Sequence, residues 1–263
     1  MGLYIFPFIA VSLGVCSASR LRQRSRRSLK FRRIGYWLSI VPLIGALSLQ
    51  AQKPSSDLAP SQQKSQVLVT TGSSFPVDVL VQSPADTDTD LQVICLFRSD
   101  PANSLHGSLL EIDQKLGGLL TLLRKDNLFA GTLGETLLIT PRSGAIPARR
   151  LLIIGLGDLE SFTPDREQLI GTIVFQESSR LGVAHPFFAP TVLDGGKADM
   201  DTGDTAEQFV RGFLRAKAVD DLLQSKGVSS GSVPIRLTFL AGGEHAQSTR
   251  TGLARVLATA PSQ

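Results

Sequence analysis

The sequence predicts an α/β fold in which a largely parallel or mixed sheet is covered by helices on both faces. Three observations carry this. Apolar runs of strand length alternate along the chain with stretches whose apolar residues recur at helical spacing. Two of those runs, Thr136–Thr140 and Arg150–Ile154, show no alternation of polarity, as strands buried on both faces do not. Helix-start signals stand between the runs.

Taken in order, Leu91–Phe97 is the first clear strand. A helix is expected from Ser108, because Ser108-Leu109-Leu110-Glu111 has the form of a capping box. Leu109, Ile112, Leu116, Leu119, Leu120 and Leu123 then share one helical face. Thr136–Thr140 and Arg150–Ile154 are the next two strands. Thr163-Pro164-Asp165 opens a helix: a hydroxyl cap, a proline whose missing N–H costs nothing there, and an acid near the positive helix end. Its apolar stripe is Leu169, Ile170, Ile173, Val174 and Leu181. Val183–Phe188 resumes an extended run. Asp204 is expected to cap a helix carrying Phe209, Val210, Phe213, Leu214 and Leu222. Ile235–Leu240 is the last strand, and Glu244–Thr259 the last helix.

The net charge of +4 is misleading. Eight basic residues lie between Arg20 and Arg33, and no acid precedes Asp57. Without those eight the chain carries 19 basic residues against 23 acidic ones, so the folded body is mildly acidic. A phosphate backbone attracts concentrated basic patches, and no nucleic-acid role is expected of the body.

The basic block precedes an uncharged apolar run, Ile34–Leu49, and then small residues suited to cleavage, Ala46-Leu47-Ser48 or Leu49-Gln50-Ala51. That is the order of parts in an export signal. Ser25-Arg26-Arg27-Ser28-Leu29-Lys30 partly matches a twin-arginine signal; an arginine-rich general secretory signal is the other reading. A second uncharged run, Gly2–Ser19, is either a first membrane segment or an over-extended gene start. If it is a membrane segment, Arg20–Arg33 lies in the cytoplasm by the positive-inside rule. The expected organisation is a leader over 1–51, a Pro/Ser/Gln-rich linker over 52–74, and one α/β domain over 75–263. The body is expected to be exported, as a periplasmic or secreted protein, or anchored by its leader. Of the two cysteines, Cys16 belongs to the leader, and Cys95 sits in an apolar run as a buried thiol.

Several segments in register resemble one family. They are Leu122-Leu123-Arg124-Lys125, then Gly131-Thr132-Leu133-Gly134-Glu135-Thr136-Leu137-Leu138, and Arg150-Leu151-Leu152-Ile153-Ile154-Gly155-Leu156-Gly157. With Glu207–Leu223 and Ser225-Lys226-Gly227, they resemble the amino-terminal domain of the leucyl aminopeptidase (cytosol aminopeptidase) family. The resemblance implies a single macro-like three-layer domain, with a mixed sheet between helices. In that family the catalytic motif Asn-Thr-Asp-Ala-Glu-Gly-Arg-Leu and the metal-binding lysine and carboxylates belong to a second domain, which would begin about where this chain ends. Asp204-Thr205-Ala206-Glu207 echoes the motif, but Gln208 and Phe209 follow where Gly and Arg are required.

The chemistry-bearing residues point the same way. His106, His185 and His245 are far apart and form no His-x-x-x-His pair. His185, before Pro186, reads as a core or edge histidine; His106 and His245 fall at helix starts. Gly227-Val228-Ser229-Ser230-Gly231 has the Gly-x-Ser-x-Gly spelling but follows a helical run instead of a strand, so its serines read as turn residues, and a Cys/His nucleophile pair is missing. No catalytic residue, metal ligand or cofactor is expected. Gly155-Leu156-Gly157-Asp158 after a strand invites a nucleotide reading, but a dinucleotide fingerprint needs a third glycine, and Asp158 and Glu160 would repel phosphate. It is kept as a candidate binding loop, with a tight strand-to-helix turn as the alternative. The expected function is that of a non-catalytic, monomeric domain acting by binding or assembly with an unknown protein partner. Its alternatives are a detached subunit or truncated product of a metal-dependent leucyl aminopeptidase, whose catalytic chain would be the partner, and a macro-like nucleotide or ADP-ribose module. Membrane contact is expected only through the leader.

Overall fold

The computed structural model describes residues 68–69, 75–98, 104–229 and 234–259. They lie within one compact unit, Ala59–Gln263. The expectations for the leader and most of the linker fall outside the described residues. Among those described, no helix is long and apolar enough to cross a membrane.

The strands are β1 (Leu68–Val69), β2 (Val77–Val81), β3 (Gln92–Phe97), β4 (Thr136–Ile139), β5 (Leu151–Gly157), β6 (Phe187–Ala189) and β7 (Leu237–Ala241). The helices are α1 (Gly107–Lys115), α2 (Leu119–Lys125), α3 (Glu167–Arg180), α4 (Thr202–Ser225) and α5 (Ala246–Thr259). The strands form one mixed sheet in the order β1-β2-β7-β6-β3-β5-β4. Its five inner strands are parallel, and β1 and β4 pair antiparallel at the two edges. Every residue of β3 and β5 is buried, because helices cover both faces.

Alternate residues of each inner strand feed two cores. Val93, Cys95, Phe97, Leu152 and Ile154 pack with Ile170, Val174, Phe209, Phe213 and Leu253 of α3, α4 and α5. Ile94, Leu96, Leu151 and Ile153 pack on the other face with Leu109, Ile112 and Leu120 of α1 and α2. Three layers result, as the sequence implied. Cys95 is fully buried, and that burial pushes its thiol well up from the ordinary value.

The helix layer over α4 depends on close backbone approach. A Cβ on Gly171 of α3 would run into Phe209 O of α4, and one on Gly212 of α4 into Gln168 O of α3. The two glycines let α3 and α4 cross in contact. Gly203 and Gly252 do the same where α4 meets α5.

The structure corrects several local expectations. The single helix expected from Ser108 is two, because Gly117 and Gly118 take φ of 70° and 82° and reverse the chain. Asp113, buried in α1, then caps α2 across the break, its Oδ1 accepting from Leu120 N at 2.7 Å and Thr121 N at 3.1 Å. The capping box does not form. Ser108 donates instead to Asp194, and Glu111 accepts from Ser83 Oγ at 2.6 Å.

Thr136–Ile139 is not buried on both faces: it is an edge strand with exposed and half-buried residues in alternation. Thr163-Pro164-Asp165 enters a short 3-10 turn before α3, and Leu169 of the expected stripe is exposed. Asp201, not Asp204, caps α4: its Oδ1 accepts from Asp204 N at 2.9 Å. Leu222 is exposed near the end of that helix. β6 is confined to Phe187–Ala189, and β7 begins at Leu237, leaving Ile235 exposed.

Candidate functional site

Parallel α/β sheets present their carboxyl ends as natural ligand crevices. Here a cleft of about 440 Å³ opens beyond the carboxyl ends of β2, β6 and β7. Its walls are the loops that follow those strands and the first turns of α4 and α5. Its lining is mixed, with apolar Phe239 and Leu240 and polar Thr191, Asp194 and His245.

The loop after β6 is tightly held. Thr191 adopts φ 51°, an unusual conformation for a β-branched residue. Its hydroxyl donates to Cys95 O at 2.7 Å and accepts from Cys95 N at 2.9 Å, so the side chain continues the pairing that β6 leaves off. Asp194, three residues on, pins the start of α1. Its Oδ2 accepts from Ser108 N at 3.0 Å and from the Ser108 hydroxyl, and its carbonyl accepts from His106 N at 3.1 Å. A Cβ at position 107 would collide with the Asp194 carboxylate, so glycine is required there.

His245, also in the lining, is exposed in the loop before α5, and its carbonyl accepts from Thr249 N at 3.0 Å. Asp201 caps α4 and also accepts from Ser248 Oγ at 3.3 Å. The backbone N–H of Asp204 holds the Asp201 carboxyl below its ordinary value, against the weaker opposing effect of burial.

The residues picked from the sequence lie elsewhere. Gly155, Leu156 and Gly157 are the last residues of β5, and the chain's own segment Gly131–Glu135 packs on them. Gly134 N donates to Gly155 O at 2.9 Å, Gly155 N to Glu135 O at 2.8 Å, and Gly157 N to Gly131 O at 2.9 Å. A Cβ on Gly155 would run into Thr132 O. These glycines let a neighbouring backbone approach, and Asp158 is an exposed partner of Arg98 at 3.1 Å. None of the four lines the cleft.

His185 is half-buried just before the inner strand β6, its Nε2 2.7 Å from Thr238 Oγ1. Burial first, and the Arg236 charge second, hold its pKa below the ordinary value. Asp204 and Glu207 form an ion-pair network with Arg255 of α5 at 2.7 and 2.6 Å. The cleft residues that sequence reasoning missed had one visible signal. Gly242-Gly243, directly after an apolar strand and before a helix, marks a loop where backbone borders a crevice.

Among the described residues no three His, Cys, Asp or Glu side chains come together to hold an ion.

The sequence profile described as cytosol aminopeptidase family, N-terminal domain, matches residues 93–227, from β3 to just past α4. A probable cytosol aminopeptidase of Cyanothece sp. (strain PCC 7425 / ATCC 29141) is 26% identical over 201 residues, covering 71% of this chain and 38% of its own length. A solved mutant of tomato leucine aminopeptidase superposes with a TM-score of 0.51 at 17% identity, covering 72% of this chain and 38% of that one. A solved mutant of the Oceanobacillus iheyensis macrodomain gives a TM-score of 0.49 at 12% identity, covering 75% of this chain and 97% of that one. The match spans less than two-fifths of the length of these curated aminopeptidases.

Proposed function

The chain belongs to the cytosol aminopeptidase family through that family's N-terminal domain, and from this we propose that it is a non-catalytic domain acting by binding or assembly with a protein partner. The observation that carries the reading is the profile match itself. It takes in β3 to α4, and belongs to the amino-terminal domain of relatives of whose length the match covers 38% or less. The polar groups of the cleft support the same reading. Thr191 and Asp194 are engaged in holding β3 and α1, which suits a scaffold.

Peptide hydrolysis of this family's kind needs a metal-activated water and a group to hold the developing charge. The test is direct. The purified chain should release no product from leucyl-anilide or leucyl-peptide substrates with added zinc, manganese or cobalt. Metal-dependent turnover that follows the protein through purification, and is lost in His185→Ala or Asp204→Ala, would overturn the proposal. The alternative, service to a metal-dependent aminopeptidase as a detached subunit, predicts that a separately supplied catalytic chain co-elutes with this one.

A second reading rests on the cleft, whose place at the carboxyl strand ends suits a small ligand. If it takes a nucleotide or ADP-ribose, titration by calorimetry should show saturable binding that Thr191→Val weakens and Asp158→Ala does not. Export through the leader is part of the proposal too, and sequencing the mature amino terminus should place cleavage near Ser48 or Ala51.

A further inference from the structure

Among the described residues no strand pairs with the outer edge of β4. Gly155 N bonds Glu135 O, and the register pairs Thr136 with Ile154 and Leu138 with Leu152. Antiparallel ladders alternate, so the Glu135 carbonyl and the main-chain groups of Leu137 and Ile139 are directed to β5. Thr136, Leu138 and Thr140 therefore direct their N–H and C=O groups outward. All three residues are exposed. Sheet edges are ordinarily guarded by charge, but the stretch Thr136-Leu137-Leu138-Ile139-Thr140 has none.

That stretch is also self-complementary. Run antiparallel against a copy of itself about Leu138, it sets Thr136 opposite Thr140, Leu137 opposite Ile139, and Leu138 opposite Leu138. Cross-strand Thr–Thr and aliphatic pairs are favourable. The residues that direct main-chain groups outward are the ones this two-fold register needs. Exposed Leu133 and Leu169 flank the same edge: a Cβ at Gly134 would touch Leu169 Cδ2 at 3.5 Å. Pro141, which has no N–H, ends the ladder.

We propose that a second copy of this chain pairs antiparallel along β4, about a two-fold axis at Leu138, joining two seven-stranded sheets into one. The interface is isologous and closes at a dimer. It departs from the monomer expected on sequence, and it does not depend on whether the chain serves peptidolysis.

Two measurements on the full-length chain test this. In sedimentation velocity the wild type should run as a dimer, and Leu138→Lys should weaken association tenfold or more, because it sets two like charges face to face. The register is read by cysteine cross-linking in a Cys16→Ser background. A hydrogen-bonded antiparallel pair holds its Cα atoms about 5.5 Å apart, within disulfide reach. Leu138→Cys should therefore form a disulfide-linked dimer on mild oxidation. Thr136→Cys should not, since the two copies of that residue stand about 14 Å apart in this register. If Leu138→Lys fails to fold, the two cysteine variants still decide. A monomeric wild type, or cross-linking at Thr136 equal to that at Leu138, overturns the proposal.

Discussion

The Thr191 hydroxyl stands 2.7 Å from Cys95 O and 2.9 Å from Cys95 N, and so takes the place of a strand partner just where β6 ends. One side chain satisfies two buried main-chain groups of a central strand. It also holds its own backbone at φ 51°, a conformation that costs a β-branched residue on the order of 1–3 kcal/mol. The wall of the cleft is shaped by this contact.

Thr191→Val keeps the shape and removes both bonds, leaving Cys95 N–H and C=O buried without that partner. Urea denaturation should show a loss of about 1–3 kcal/mol. A variant within about 0.5 kcal/mol of wild type, the range of ordinary surface changes, would mean that other groups satisfy Cys95.

Glu167 is fully buried in the first turn of α3, neither carboxylate oxygen has a hydrogen-bond partner, and burial raises its pKa to about 8. The folded state therefore keeps a proton that the unfolded chain releases near its ordinary value. Stability should fall as pH rises from about 4.5 to about 8, by at most about 1.4 kcal/mol per pH unit. Glu167→Gln should flatten this slope in melts recorded across that range. An unchanged slope would show that the carboxyl is not the group responsible.

His185 acts on the acid side. Its folded pKa is lowered, so its contribution is present above the unfolded value and is lost as pH falls below it. His185→Gln should lessen the loss of stability below about pH 6.5, the ordinary histidine value. Equal acid sensitivity in both proteins would count against this.

Asp201→Ala should destabilise by about 0.5–2 kcal/mol through loss of the α4 cap. Asp204→Ala should cost less, since Asp204 donates its N–H to that cap and its exposed side chain only pairs with Arg255. Thermal melts that rank the two in the opposite order would restore Asp204 as the cap.

Ile153→Asp should abolish folding. Ile153 lies in β5 with no exposed surface, and an unpaired buried carboxylate costs several kcal/mol. A soluble variant with a cooperative melt at the wild-type temperature would remove β5 from the core.

By itself the sequence determined the succession of strands and helices from β3 onward apart from the break between α1 and α2, the burial of Leu151–Ile154 and of Cys95, and the three-layer fold that its family resemblance implied. Periodicity and apolar runs are local properties, and a strand covered on both faces is apolar along most of its length. Only the tertiary structure decided where the runs sit. Leu137 and Leu138 look as apolar as Leu152 and Ile153, yet β4 closes an edge because the chain turns back antiparallel beside β5. The glycines at Gly155 and Gly157 read as a ligand loop, but the segment that packs on them, Gly131–Glu135, is an earlier part of the same chain. The caps of α1 and α2, Asp194 and Asp113, lie outside the helices they serve. Asp194 is 86 residues from Ser108, and no window along the chain brings them together. The cleft is the same case: its walls follow β2, β6 and β7, neighbours through hydrogen bonding across the sheet rather than through adjacency in sequence.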